Sequence, residues 1–287
     1  MLIQLGKKPG VHKLPLGIDR HRELNVFGGR LPAPDPRNAN FRYRAVRRQL
    51  SAQLGIDKAR RRRAWGVDVK RLPVDQGPTP RCVGFSIATC AVVGPTYQRK
   101  QLPTTSAAEM FANAIYFDAL KRDEWAGEDD AGTSVNAGMK AAVAAGLFKS
   151  YAWGENVADV FDFGIHFGPV EMGTIWPDSM MDVDRFGYLN IAPDASMDGQ
   201  HAAGHAWPIV TFDMDGKNPD GTVGFVEMVQ SWGKPWGIKG TGRARMTVTT
   251  LATLIMAGAD IAFGTEVALK PKPAIVAGAD SARAEAA

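Results

Sequence analysis

Residues 75–90, Asp-Gln-Gly-Pro-Thr-Pro-Arg-Cys-Val-Gly-Phe-Ser-Ile-Ala-Thr-Cys, constrain the chain more than any other stretch. Gly77, Pro78 and Pro80 punctuate a turn, and the apolar run after it (Val83, Phe85, Ile87, Ala88) can sustain a buried helix. Cys82 then stands on the first helical turn. The unpaired N–H groups and the helix dipole at that end favour the anionic sulfur, the form that attacks carbonyl carbon.

Acyl transfer by a thiol needs a base, a group that orients the base, and donors for the developing oxyanion. His205 is the candidate base, in Gly204-His205-Ala206-Trp207-Pro208, 123 residues after Cys82. Further on, Gln230-Ser231-Trp232-Gly233-Lys234-Pro235-Trp236-Gly237 sets two Trp-Gly pairs four residues apart, a pattern that core packing alone seldom produces.

These segments together resemble the papain-like cysteine peptidases. Gln76-Gly77, Cys82 and Phe85-Ser86 match that family's active-site segment in order and spacing, Gly-His-Ala before an apolar strand resembles its histidine segment, and the Trp-Gly pairs resemble its Asn-Ser-Trp-Gly-x-x-Trp-Gly. The resemblance covers about residues 66–268 and implies an α+β, two-lobed fold. A helical lobe and an antiparallel β-barrel-like lobe would enclose the active-site cleft. It further implies that Cys82 attacks, His205 carries the proton, Gln230 orients His205, and the Gln76 side-chain NH2 joins the Cys82 N–H at the oxyanion. Gly173 and Ala206 would line a roomy apolar substrate pocket, and Trp232 would shield the His205–Gln230 hydrogen bond. Two departures stand out. Gln230 replaces Asn and is one methylene longer, so backbone or rotamer must adjust; Thr79-Pro80-Arg81-Cys82-Val83 keeps only the cysteine of Cys-Gly-Ser-Cys-Trp.

The residue pattern divides the chain into a basic Gly/Pro/Arg-rich arm (1–65), a helical lobe with the nucleophile (66–165), a β-rich lobe with the histidine (166–269) and a tail without a fold of its own (270–287). In the arm, Val46, Leu50 and Leu54 recur four apart and predict a short amphipathic helix. Ser106 to Glu109 reads as a capping box for a helix presenting Met110, Ala114, Phe117 and Leu120, and Ser134 as the cap of a helix over 135–145. Strands are expected at 169–176, 205–212, 223–231, 242–248 and 261–269.

The net charge of +4 hides an asymmetry: residues 1–71 carry 18 Lys/Arg against five acids, so the remainder is acidic. Residues 37–64 could therefore meet nucleic acid, an acidic partner or the acidic body of the same chain. The segment lacks the interleaved aromatics of RNA-binding motifs, which disfavours nucleic acid. Cys82 and Cys90 on one helix would have Cα atoms ~12 Å apart from the 1.5 Å rise, beyond the roughly 7 Å a disulfide permits. No metal is expected, since His12, His21, His166, His201 and His205 show no ligand spacing and the run Asp213 to Asp220 reads as a hairpin turn rather than a calcium loop. No cofactor is expected either, with neither a P-loop nor a dinucleotide fingerprint. The chain carries no apolar run long enough for a membrane span or a secretory signal. The expected setting is cytoplasmic, or a virion if the chain is phage-encoded. The expected partner is a peptide or protein substrate, with an assembly partner held by the arm as a further option. The competing expectation is a silent module of that fold in a larger assembly such as a phage particle.

Overall fold

The computed structural model describes residues 29–33, 35–66, 72–94, 104–125, 130–197, 203–234 and 236–270. The first 28 residues of the arm, the end of the tail, and His12, His21 and His201 lie outside these.

The arm forms α1 (Tyr43–Leu54), whose apolar residues Tyr43, Val46 and Leu50 are buried. Leu54, the third member of the predicted stripe, is exposed because the helix ends there at Gly55. A short strand, β1 (Arg62–Ala64), follows. The arm is thus part of the body: Tyr43, Val46, Leu50 and Trp65 share one hydrophobic core with the β-rich lobe. Its arginines meet the acidic side of the chain, Arg42 with Glu155, Arg44 with Asp159, Arg47 with Asp162, Arg61 with Asp215 and Arg62 with Asp213.

A helix can be covered on every side only when every side is apolar or small. α2 (Cys82–Val93) meets that condition, and all twelve of its residues are buried. Around it pack α3 (Thr105–Leu120) and α4 (Val135–Ala144). Gly84 permits the α2–α3 contact, since a Cβ there would lie 2.3 Å from the Ala112 carbonyl oxygen. α3 is capped by Thr104, not Ser106: the Thr104 hydroxyl accepts the Ala107 N–H, while Glu109 accepts the N–H of Asp75 in the loop before Cys82. Its buried residues are Ala108, Ala112, Ile115, Tyr116, Ala119 and Leu120, so of the expected face only Leu120 is buried, while Met110, Ala114 and Phe117 are exposed. Ser134 caps α4 as anticipated, accepting from the Ala137 N–H.

The second half is a single antiparallel sheet built from β2 (Ser150–Trp153), β3 (Val170–Trp176), β4 (Ala203–Lys217), β5 (Val223–Val229), β6 (Arg243–Thr247) and β7 (Asp260–Thr265). Its order is β2-β7-β3-β4-β5-β6, with β1 added on β4, an open path rather than a closed barrel. All five expected strands form; β2 and the helices α5 (Val157–His166) and α6 (Val248–Met256) were not anticipated. The acidic run closes the β4–β5 hairpin, where the Asp213 carboxylate accepts the N–H groups of Asp215 and Gly216. One core lies within the helical lobe and the other beneath the sheet. Each large side chain fully buried there, such as Trp207 or Phe263, contributes about 1.5–3 kcal/mol. Among the described residues no helix is long and apolar enough to cross a membrane.

Candidate active site

Side chains alternate along a strand, so neighbouring residues of β4 serve different cores. Ala206 joins the helical-lobe core and Trp207 the core beneath the sheet. His205 lies opposite Thr174 of β3, on the face carrying Trp207 and Trp176. Its Nε2 is 2.8 Å from Oε1 of Gln230, the residue that follows β5. The extra methylene of Gln230 is accommodated while its backbone N–H bonds to Gly242 O at 2.7 Å. Its side-chain NH2 is buried with no hydrogen-bond partner among the described residues. Two indoles enclose the imidazole, Trp232 with its ring centroid 5.1 Å away and Trp176 at 5.0 Å. Trp176, at the end of an unremarkable strand, gave no signal in the sequence.

The sulfur meets this wall at the next residue. Ala206 N–H donates to Cys82 Sγ at 3.4 Å, joining the first turn of α2 to the histidine strand across 124 residues. Cys82 is completely buried. Burial pushes its thiol up to about 12, against the pull of the backbone N–H groups of Ala206, Val83 and Arg30. This corrects the expected thiolate: helix-end donors are present, but loss of solvent outweighs them in this closed arrangement.

Gln76 sits in the loop six residues before the thiol. Its side-chain oxygen accepts from Ser231 Oγ at 2.6 Å and its NH2 donates to Thr79 O at 2.7 Å. Its backbone N–H also bonds to Ser231 O at 2.9 Å, so the residue between Gln230 and Trp232 fixes the amide from the other lobe. Ser231 was read only as part of a motif, yet it locks two of the candidate residues together.

A row of cross-strand partners runs Ala206–Gly173–Asp260 over β4, β3 and β7. The space beside Gly173, expected to be roomy and apolar, is occupied and charged. The Arg30 guanidinium and the Asp260 carboxylate lie there: a Cβ added at Gly173 would lie 3.0 Å from Arg30 Nε and 3.1 Å from Asp260 Oδ2. The acid escaped notice because Asp260 stands just before the expected strand at 261–269. Cys82 and Cys90 are free thiols, and no cluster of metal-ligating side chains occurs among the described residues.

The architecture is that of the papain-like proteins. A crystal structure of xylellain, a cysteine protease from Xylella fastidiosa, superposes with a TM-score of 0.58 at 13% identity, over 90% of this chain and 99% of that one. The procathepsin B S9 structure from Trypanosoma congolense gives 0.55 at 12% identity, over 85% and 87% of the two chains. At such identities the likeness establishes the fold alone. No family model and no curated protein matches the sequence.

Proposed function

We propose that the chain is a cysteine peptidase that hydrolyses peptide bonds through Cys82 and His205. The observation that carries this reading is the pairing of His205 Nε2 with Gln230 Oε1 under Trp232, while the very next N–H grips the Cys82 sulfur. With Nε2 engaged, proton transfer falls to Nδ1 of the same ring. His205 takes the thiol proton, the thiolate attacks the carbonyl carbon, and the imidazolium returns the proton to the leaving amine; water, deprotonated by His205, then attacks the thioester and releases the acid and the thiol. Gln230 plays the part of an orienting amide, which fixes tautomer and ring plane without itself exchanging a proton. Gln76 supplies the oxyanion donor through its side-chain NH2, which the bonds to Thr79 O and Ser231 Oγ hold in place. A weakened or silent site is the competing reading, motivated by the longer amide at residue 230 and by the closed state of the thiol.

The test is iodoacetamide labelling of Cys82 at neutral pH in the full chain carrying Arg30→Ala, paired with turnover of fluorogenic peptides. Labelling well above the rate of a free cysteine peptide, lost on adding His205→Ala, supports the dyad. Labelling at the free-peptide rate, with no turnover, defeats it.

A further inference from the structure

Gly29, Arg30 and Leu31 run as an extended segment between the two lobes, joined to Thr133 by an isolated bridge. The N–H groups of Gly29 and Arg30 donate to Gly204 O at 3.0 and 3.2 Å, Leu31 N–H donates to Thr133 O at 2.9 Å, and Thr133 N–H donates to Gly29 O at 2.9 Å. Gly204 stands two residues before Ala206, whose N–H donates to the Cys82 sulfur at 3.4 Å. The surroundings are cut to admit a main chain: a Cβ on Gly204 would stand 2.0 Å from Arg30 O, and one on Gly132 2.2 Å from Gly29 O. A short extended segment, hydrogen-bonded to both lobes, is therefore held where the proposed chemistry requires a substrate backbone.

Its side chain is equally well received. Arg30 is only 5% exposed and crosses 230 residues of sequence to Asp260, with Nε and Nη2 at 2.9 and 2.7 Å from Oδ2. Nη2 also donates to Gly258 O at 3.3 Å. Gly173 and Val135 form the walls, and the missing side chain of Gly173 is what leaves room for the guanidinium. A carboxylate with a carbonyl beside it matches the planar donor fork of arginine better than the point charge of lysine, and rejects an apolar side chain by leaving the acid unpaired.

We infer that Asp260 makes this pocket selective for an arginine side chain of the peptide substrate, and that Arg30 of the chain's own arm occupies it as an internal competitor. The word substrate rests on the peptidase reading above; the pocket and its occupant do not. An ordinary ion pair that merely ties down the arm would also bring Arg30 to Asp260. That case predicts a loss of stability on substitution and no preference among added peptides.

The experiment uses the full chain with Arg30→Ala and measures, by calorimetry, binding of the pentapeptide Gly-Gly-Arg-Leu-Pro (residues 28–32 of the sequence) and of its analogue with leucine at the third position. The arginine peptide is expected to bind at least about tenfold tighter than the leucine peptide, and at least about tenfold tighter than it binds the unsubstituted chain. Adding Asp260→Asn should erase the preference. Should that combination not fold, Gly173→Ala narrows the same pocket and should cost the arginine peptide its advantage. Equal affinity for the two peptides, or a preference that survives both Asp260→Asn and Gly173→Ala, overturns the inference. Selective binding of the arginine peptide without any hydrolysis upholds the pocket and removes only the peptidase reading.

Discussion

Cys82 and Cys90 are the same residue on the same helix, both fully buried, both with thiols held up by loss of solvent. Their neighbours differ in kind. Around Cys82 stand donors, the N–H groups of Ala206, Val83 and Arg30, which favour a sulfur anion, although the Glu171 charge opposes it there too. Beside Cys90 stands an acceptor, Glu171 Oε2 at 3.7 Å, and its carboxyl pushes the thiol further from ionisation. Their covers differ as well. Both belong to the helical-lobe core, but beside Cys82 the segment 29–31, a member of neither core, is hydrogen-bonded in place, whereas Cys90 lies against Glu171 of β3. Burial alone therefore does not tell the two thiols apart; the direction of their hydrogen bonds does, and it is Cys82 that suits the proposed nucleophile.

The most severe test of that contrast removes each member in the Arg30→Ala chain. Cys82→Ala or His205→Ala should each lower peptide hydrolysis at least about 10⁴-fold, whereas Cys90→Ala should leave kcat/KM within about threefold. Comparable losses at both cysteines would erase the distinction. A smaller effect, roughly 10²- to 10³-fold in kcat with KM little changed, is expected for Gln76→Ala, the size associated with one oxyanion donor. Ser231→Ala should reproduce part of that loss, because the Ser231 hydroxyl holds the Gln76 amide and touches no substrate.

Much of this site was legible from spacing. A turn of Gly and Pro before an apolar run placed Cys82 at the head of a buried helix, and the helix is found over 82–93. Gly204-His205-Ala206 at the head of an apolar run placed the imidazole on a strand beside Gly173, and the register pairs Gly173 with Ala206. What remained hidden depended on contacts between distant residues. The cap of α3 had three adjacent hydroxyls to choose from, and Glu109 was claimed by Asp75 rather than by its own helix. The ionisation of Cys82 turned on its burial, and part of its surroundings is a segment 52 residues upstream whose Gly-Gly-Arg reads, in isolation, as loop. Asp260 was one residue outside its expected strand and 230 from its partner. The Arg-rich segment could be seen as charged, but only the fold shows that its acids are in the same chain.

The mildest prediction concerns Glu171, the group that makes Cys90 the inert member of the pair. Its carboxyl is pushed up to about 8 by burial, with Asp260 adding to the rise and hydrogen bonds from Ser86 and Cys90 opposing it. In the unfolded chain it ionises near the ordinary glutamate value of about 4.3. Between those two values the folded state holds a proton that the unfolded state has released, so stability falls as pH rises, from a maximum at or below the unfolded pKa to a floor above the folded one. The two thiols, raised above their unfolded values, add to the fall only as the pH nears the unfolded thiol value of about 8.5, and they do so in both chains alike. Glu171→Gln keeps the shape and removes the charge. Denaturant unfolding at pH 5 and pH 9 should find the two chains within about 1 kcal/mol of each other at the lower pH and the glutamine chain ahead by about 1–3 kcal/mol at the higher. Parallel curves for the two chains would mean that Glu171 is charged throughout and compensated. Cys90 would then sit beside a permanent anion rather than a buried acid.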